Sequence, residues 1–214
     1  MISERVVEPT HNIITGEMRM KICLTDKDAL IVVDIQVDFL PGGDLSVNKG
    51  ETVIAPMNEY IRIFSGASRP VFFTRDWHPR NHLSFRENGG PWPPHCVMDT
   101  PGAMFPQELM MPAENKHIIS NGMKNESDVY SAFQNEQLTS ILQGQGVRRV
   151  YIGGLATDYC VKNTVLGALN LGFEAVVLLD AIQGIDVNPG DSEKAVRQML
   201  CAGAIGITFQ DCIS

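Results

Sequence analysis

Between Arg75 and Cys96, in the stretches RDWHPRNHLSF and WPPHC, the chain gathers Asp76, His78, His82 and His95, three of its five histidines among them. Asp76 and His78 are two residues apart, so in an extended segment their side chains project to one side and can share an ion. His95 can be brought over by the intervening loop. A carboxylate with two imidazoles makes a three-ligand set that leaves open positions for water or substrate, the catalytic rather than the closed structural arrangement. Such donors suit Zn, Fe or Mn. Alone, an Asp-x-His pair is usually loop polarity satisfying backbone groups; His95 and a position just past a strand turn it into a metal-site expectation. His82 is read as outside the ligand set, because Pro79 and the turn after it aim it elsewhere, and Ser84 is not read as a direct ligand.

A second cluster surrounds Cys160, in GGLATDYCVKN. Glycines end an apolar run, a short polar segment follows, and a helical pattern begins near the cysteine. A thiol at a helix N-terminus has its pKa lowered by unpaired N–H groups and the dipole, and the same N–H groups can receive an oxyanion. Most free cysteines are buried small hydrophobes, and Cys23, Cys201 and Cys212 are assigned to that class or to the surface; Cys96 is read as structural. A nucleophilic cysteine needs a proton acceptor. Asp34, at the end of ALIVVD, is the candidate, with Asp38 fixing the loop and Lys124 orienting Asp34 and stabilising negative charge.

These residues have to be positioned by something, and the pattern of the chain says what. Short β-branched runs (29–34, 70–74, 117–120, 147–154, 174–180, 204–209) alternate with amphipathic stretches of ten or more residues. That alternation predicts an α/β fold, a three-layer α/β/α sandwich around a central, mostly parallel sheet. In open sheets of this kind the ligand site lies beyond the carboxyl ends of the strands. Asp34, Asp76, His78, Lys124 and the segment before Cys160 all fall there.

The chain has 214 residues, 44% of them apolar and 20% charged, which is enough for one buried core. A single domain over 29–214 is expected, preceded by an N-terminal extension, residues 1–28, with no clear period. Its apolar runs are far shorter than the ~20 residues a bilayer requires. The charged first thirty residues hold no apolar block of signal-peptide length, which predicts a cytoplasmic protein that does not engage a membrane. A formal charge of −8 with no basic stripe argues against a nucleic-acid partner and for a small molecule or a protein. Five scattered cysteines without a CxxC pair fit reduced thiols.

The motifs DIQVDFLPGGDLSV, RDWHPRNHLSF, WPPHC, Lys124 with the later YSAF, and GLATDYCV occur in one order over about residues 29 to 211. Together they resemble the nicotinamidase branch of the isochorismatase-like cysteine hydrolases. The resemblance implies a triad of Asp34, Lys124 and Cys160, and one divalent metal, zinc first with iron or manganese as alternatives, held by Asp76, His78 and His95. It implies substrate contacts from Phe39, Trp92 and Tyr130, a cis peptide at Leu155–Ala156, and an oxyanion hole of the Ala156 and Cys160 N–H groups. The implied reaction is hydrolysis of nicotinamide to nicotinic acid and ammonia through a thioester, serving NAD salvage and extending to pyrazinamide, in a homo-oligomer. Val37 departs from the Asn common at its position in the family. The competing expectations are a same-fold hydrolase of another small carboxamide and a non-catalytic metal-binding protein on this scaffold.

Overall fold

The computed structural model describes residues 24–124 and 130–213. Of the expected N-terminal extension, residues 1–23 lie outside the described residues, as do Cys23 and the side chain of Cys212. Six strands form one sheet: β1 (Asp28–Val33), β2 (Val71–Asp76), β3 (Lys116–Asn121), β4 (Arg149–Leu155), β5 (Glu174–Gln183) and β6 (Ile205–Ile207). Their order is β3-β2-β1-β4-β5-β6, and every pairing between neighbours is parallel. Parallel neighbours need long crossovers, and these carry α1 (Ile54–Gly66), α2 (Glu136–Gly144), α3 (Lys162–Asn170) and α4 (Asp191–Cys201). AIGITF, expected to be extended throughout, is strand only over Ile205–Ile207, and Phe209 opens a last short helix, α5 (Phe209–Ile213). Phe209 turns away from the sheet to pack edge-on against Tyr60 of α1.

Strand alternation divides the core into two layers. Leu30, Val32, Val71, Phe73 and Tyr151 face α1, which answers with Met57, Tyr60, Ile61 and Phe64. Ile31, Val33, Phe72, Val150 and Ile152 face the other side, where α2, α3 and α4 supply Leu138, Leu142, Val165, Ala168 and Met199. All of β1 is buried, as a central strand covered on both faces must be. Each fully buried Val, Leu, Ile or Phe contributes about 1.5–3 kcal/mol over an exposed one. At the start of the sheet Arg149 donates Nε and a terminal nitrogen to the two carboxylate oxygens of Asp28, at 2.9 and 2.8 Å, which locks β4 to β1. No helix among the described residues is long and apolar enough to cross a membrane.

The strand order reverses between β1 and β4, the two strands that run on from the centre in opposite directions. Chains leaving them diverge to opposite faces and open a crevice at their carboxyl ends. Asp34 follows β1 and Cys160 follows β4, so the topology puts this acid and this thiol on the two sides of that crevice.

Candidate active site

Asp34 directly follows the last residue of β1, in left-handed backbone (φ 47) and 2% exposed. The Thr74 hydroxyl accepts its N–H at 3.3 Å and donates to its carboxylate at 2.6 Å, so one β2 side chain fixes both ends of the residue. Burial, then the charge of Asp76, raises its pKa to about 7 against the pull of hydrogen bonds from Thr74 and Cys160. A carboxyl tuned close to neutrality suits general acid–base work. A carboxylate oxygen of Asp34, one of Asp76 and the Cys160 sulfur lie within 4.8 Å of one another.

Beyond β4 the Leu155–Ala156 peptide is cis, as the resemblance implies, and the chain enters a π-helical turn, Thr157–Val161, that continues into α3. The N–H groups of Tyr159 and Val161 both reach the Ala156 carbonyl at 3.1 Å, which holds Cys160 in the first turn. Asp158 accepts the N–H groups of Ile185 and Asp186 at 3.0 and 2.9 Å and draws the loop after β5 against the cysteine.

Asp76, the last residue of β2, meets both predicted imidazoles. The Nε2 atoms of His78 and His95 stand 3.6 and 3.9 Å from its Oδ2, and the three residues are buried. Each imidazole turns Nδ1 to a backbone carbonyl, His78 to Gly122 at 3.3 Å and His95 to Pro93 at 2.8 Å. A carbonyl only accepts, so Nδ1 carries the proton and Nε2 presents a lone pair, the tautomer of a metal ligand with its outer partner in place. Two imidazole lone pairs and a carboxylate converging on one point need a cation or extra protons between them. The donor set fits a divalent ion. Gly122 sits so close to His78 that a Cβ there would lie 2.3 Å from Nδ1, and its φ of +65 lies in the left-handed region that favours glycine. His82 stays outside this group, as expected: its ring stacks on His78 at 4.1 Å and its Nδ1 meets the Ser84 hydroxyl at 2.7 Å.

The loop after β1 braces the ligands. Fully buried Gln36 donates Nε2 to the Asp76 carbonyl at 2.8 Å and to the Ala103 carbonyl at 2.9 Å, while its Oε1 accepts the Asp76 N–H at 2.8 Å. Asp38 accepts the N–H of Cys96, the residue after His95, at 2.6 Å.

Residues 28–211 match the family described as Isochorismatase domain. The chain belongs to the isochorismatase family. Within it, nicotinamidase from Escherichia coli (strain K12) is 34% identical over 204 residues, covering 86% of this chain and 95% of the relative. The solved pyrazinamidase of Pyrococcus horikoshii in complex with zinc is 49% identical with a TM-score of 0.81, covering 86% of this chain and 99% of that one. PnC1 from L. infantum in complex with nicotinate is 33% identical with a TM-score of 0.83, covering 90% and 98%.

In this isochorismatase-family chain the cleft above the sheet is lined by Phe39, Trp92, Tyr130 and Ala156, all expected from the sequence, together with Asp76, His78, His95 and Cys160. Trp92 donates Nε1–H to the Tyr130 hydroxyl at 3.0 Å, and Tyr159 packs edge-on to Trp92 and tilted to Tyr130. Phe39 leans on His95 across the cleft, ring centres 5.7 Å apart. Leu45, Tyr159 and Ile185 complete the wall and were not foreseen. Tyr159 had a signal, an aromatic next to the nucleophile; Leu45 and Ile185 come from loops that no periodicity marks.

Two of the expected site residues are not in this lining: Asp34, which is buried within 4.8 Å of the Cys160 sulfur, and Lys124. Lys124 is exposed, three residues beyond the end of β3. The buried polar residue at that strand end is Asn121.

Proposed function

We propose that this chain is a metal-dependent amidohydrolase that converts nicotinamide to nicotinic acid and ammonia, and also accepts pyrazinamide. The observation that carries the reading is the hydrogen bond between the Cys160 thiol and Asp34 beside the Asp76, His78 and His95 set, at the floor of an aromatic cleft. Nicotinamidase and pyrazinamidase relatives that match over most of their own length support it.

In this reading Asp34 takes the thiol proton and the Cys160 sulfur attacks the carboxamide carbon. The N–H groups of Ala156 and Cys160 receive the oxyanion, each such donor being worth about 3 kcal/mol in similar sites. Collapse breaks the C–N bond, and Asp34 returns its proton to the leaving ammonia. Water then attacks the thioester with Asp34 accepting its proton, the C–S bond breaks, Asp34 returns that proton to the Cys160 sulfur, and nicotinic acid departs to feed NAD salvage. Phe39 and Trp92 sandwich the flat pyridine ring, and Tyr130 holds Trp92 in place. Asp76, His78 and His95 hold a divalent ion, zinc in our reading, which when bound supplies a Lewis acid at the cleft wall. Lys124, exposed outside the cleft, takes no step in this scheme.

Ammonia release from nicotinamide by the purified protein tests the reading, with chelator and Cys160→Ala as controls. Turnover lost in both controls is the expected result. A metal-loaded wild type that leaves nicotinamide intact while hydrolysing another small carboxamide would overturn the substrate assignment.

A further inference from the structure

In a parallel ladder, residues paired in register project to the same face of the sheet. β2 and β3 pair Phe72 with His117, Thr74 with Ile119 and Asp76 with Asn121. Phe72 and His117 stack, Thr74 binds Asp34, and Asp76 is in the ligand set, so Asn121 stands last in the row that carries the chemistry. It is 6% exposed. Its backbone carbonyl accepts the Trp77 N–H at 2.9 Å, but its side-chain Oδ1 is buried with no hydrogen-bond partner. The next residue, Gly122, packs against the His78 ring.

A buried carboxamide oxygen without a partner weakens the fold, and an apolar side chain of similar shape would avoid that cost. Packing therefore gives no reason for an amide here, whereas the position does. The other polar side chains along this edge, Asp34, Thr74 and Asp76, are all engaged in the acid–thiol–ligand cluster. We propose that Asn121, and not Lys124, is the third polar group of the Asp34–Cys160 constellation, a positioning residue whose neutral carboxamide solvates the proton exchange between acid and thiol. The assignment rests on the cysteine-hydrolase reading but not on the identity of the substrate.

Asn121→Leu, close in shape and without polar atoms, is the test, read in three ways on the full chain. The expected result is a melting temperature equal to or above that of wild type and slower iodoacetamide alkylation of Cys160, followed by mass spectrometry. With it comes a kcat for nicotinamide lower by about tenfold, the scale of one hydrogen bond to a charged group, at nearly unchanged KM. Asn121→Ser, which keeps a small polar group, should recover part of the alkylation rate, and it serves alone should the leucine variant not fold. Wild-type alkylation and kcat in Asn121→Leu would overturn the proposal. So would a Lys124→Ala variant that slows alkylation while Asn121→Leu does not. Alkylation needs no substrate, so a wild type that fails to hydrolyse nicotinamide is a distinct failure.

Discussion

Gln36 treats Asp76 as a neighbouring strand would, accepting its N–H and donating to its carbonyl, both at 2.8 Å, from 40 residues away. Gln36→Leu leaves these groups and the Ala103 carbonyl unpaired in the interior, at about 1–3 kcal/mol for each group left unsatisfied. Urea denaturation should show a loss of at least about 3 kcal/mol. Zinc affinity, read by chelator competition, should fall by about 10–100-fold, the usual effect of removing a group that orients a ligand. Excess zinc should then restore turnover. An unchanged zinc affinity would remove Gln36 from the site's support.

Asp38 should act on the same ion from the other side. It binds the N–H of Cys96 next to His95, and Gly102 packs against its carboxylate so closely that a Cβ would lie 2.2 Å from either oxygen. Both Asp38→Ala and Gly102→Ala are expected to weaken zinc binding by roughly tenfold. Equilibrium dialysis at graded free zinc measures this without substrate.

Removing the ligands should separate metal from fold. His78→Ala and His95→Ala are expected to purify with little bound metal by elemental analysis and to lose turnover that added zinc does not restore. Wild type stripped by chelator is expected to recover with zinc. Full metal occupancy in both variants would break the ligand assignment.

The thiol and the acid should behave in the opposite way. Cys160→Ala and Asp34→Asn are expected to retain metal while losing turnover by at least about a thousandfold, since residues that act as a unit each cost most of the catalysis. An Asp34→Asn enzyme within tenfold of wild type would send the proton elsewhere.

Tyr130→Phe removes the acceptor of the Trp92 Nε1–H. One neutral hydrogen bond is worth about 1 kcal/mol, so KM should rise about fivefold with kcat nearly kept, alongside a shift in Trp92 fluorescence. An unaltered KM would mean that Trp92 needs no such anchor.

The sheet was legible because its strands are short apolar runs separated by helical spacing, and the rule that ligands gather at strand ends then drew attention to Asp34 and Asp76. His95 could be tied to them by type alone. Lys124 against Asn121 was a harder matter: reading β3 as residues 117–120 left the lysine just past the strand, whereas the ladder with β2 runs one residue further and buries the asparagine. Side-chain burial one residue past an apolar run has no periodic mark. Gln36 was invisible for another reason, since its partners are backbone groups of β2 and of the loop at Ala103, which any sequence offers.

The junction of β1 with β4 has a temporal meaning as well. Asp28 and Arg149, paired in register and by two hydrogen bonds, are 121 positions apart along the chain. Bringing them together closes a long loop, a step whose entropy cost must be met before the contacts return it. The first half of the chain carries the acid and the ligand set, the second half carries the cysteine, and only this closure introduces them. Synthesis therefore delivers the acid and the three ligand side chains well before the cysteine, and acid and thiol first meet when β4 docks beside β1.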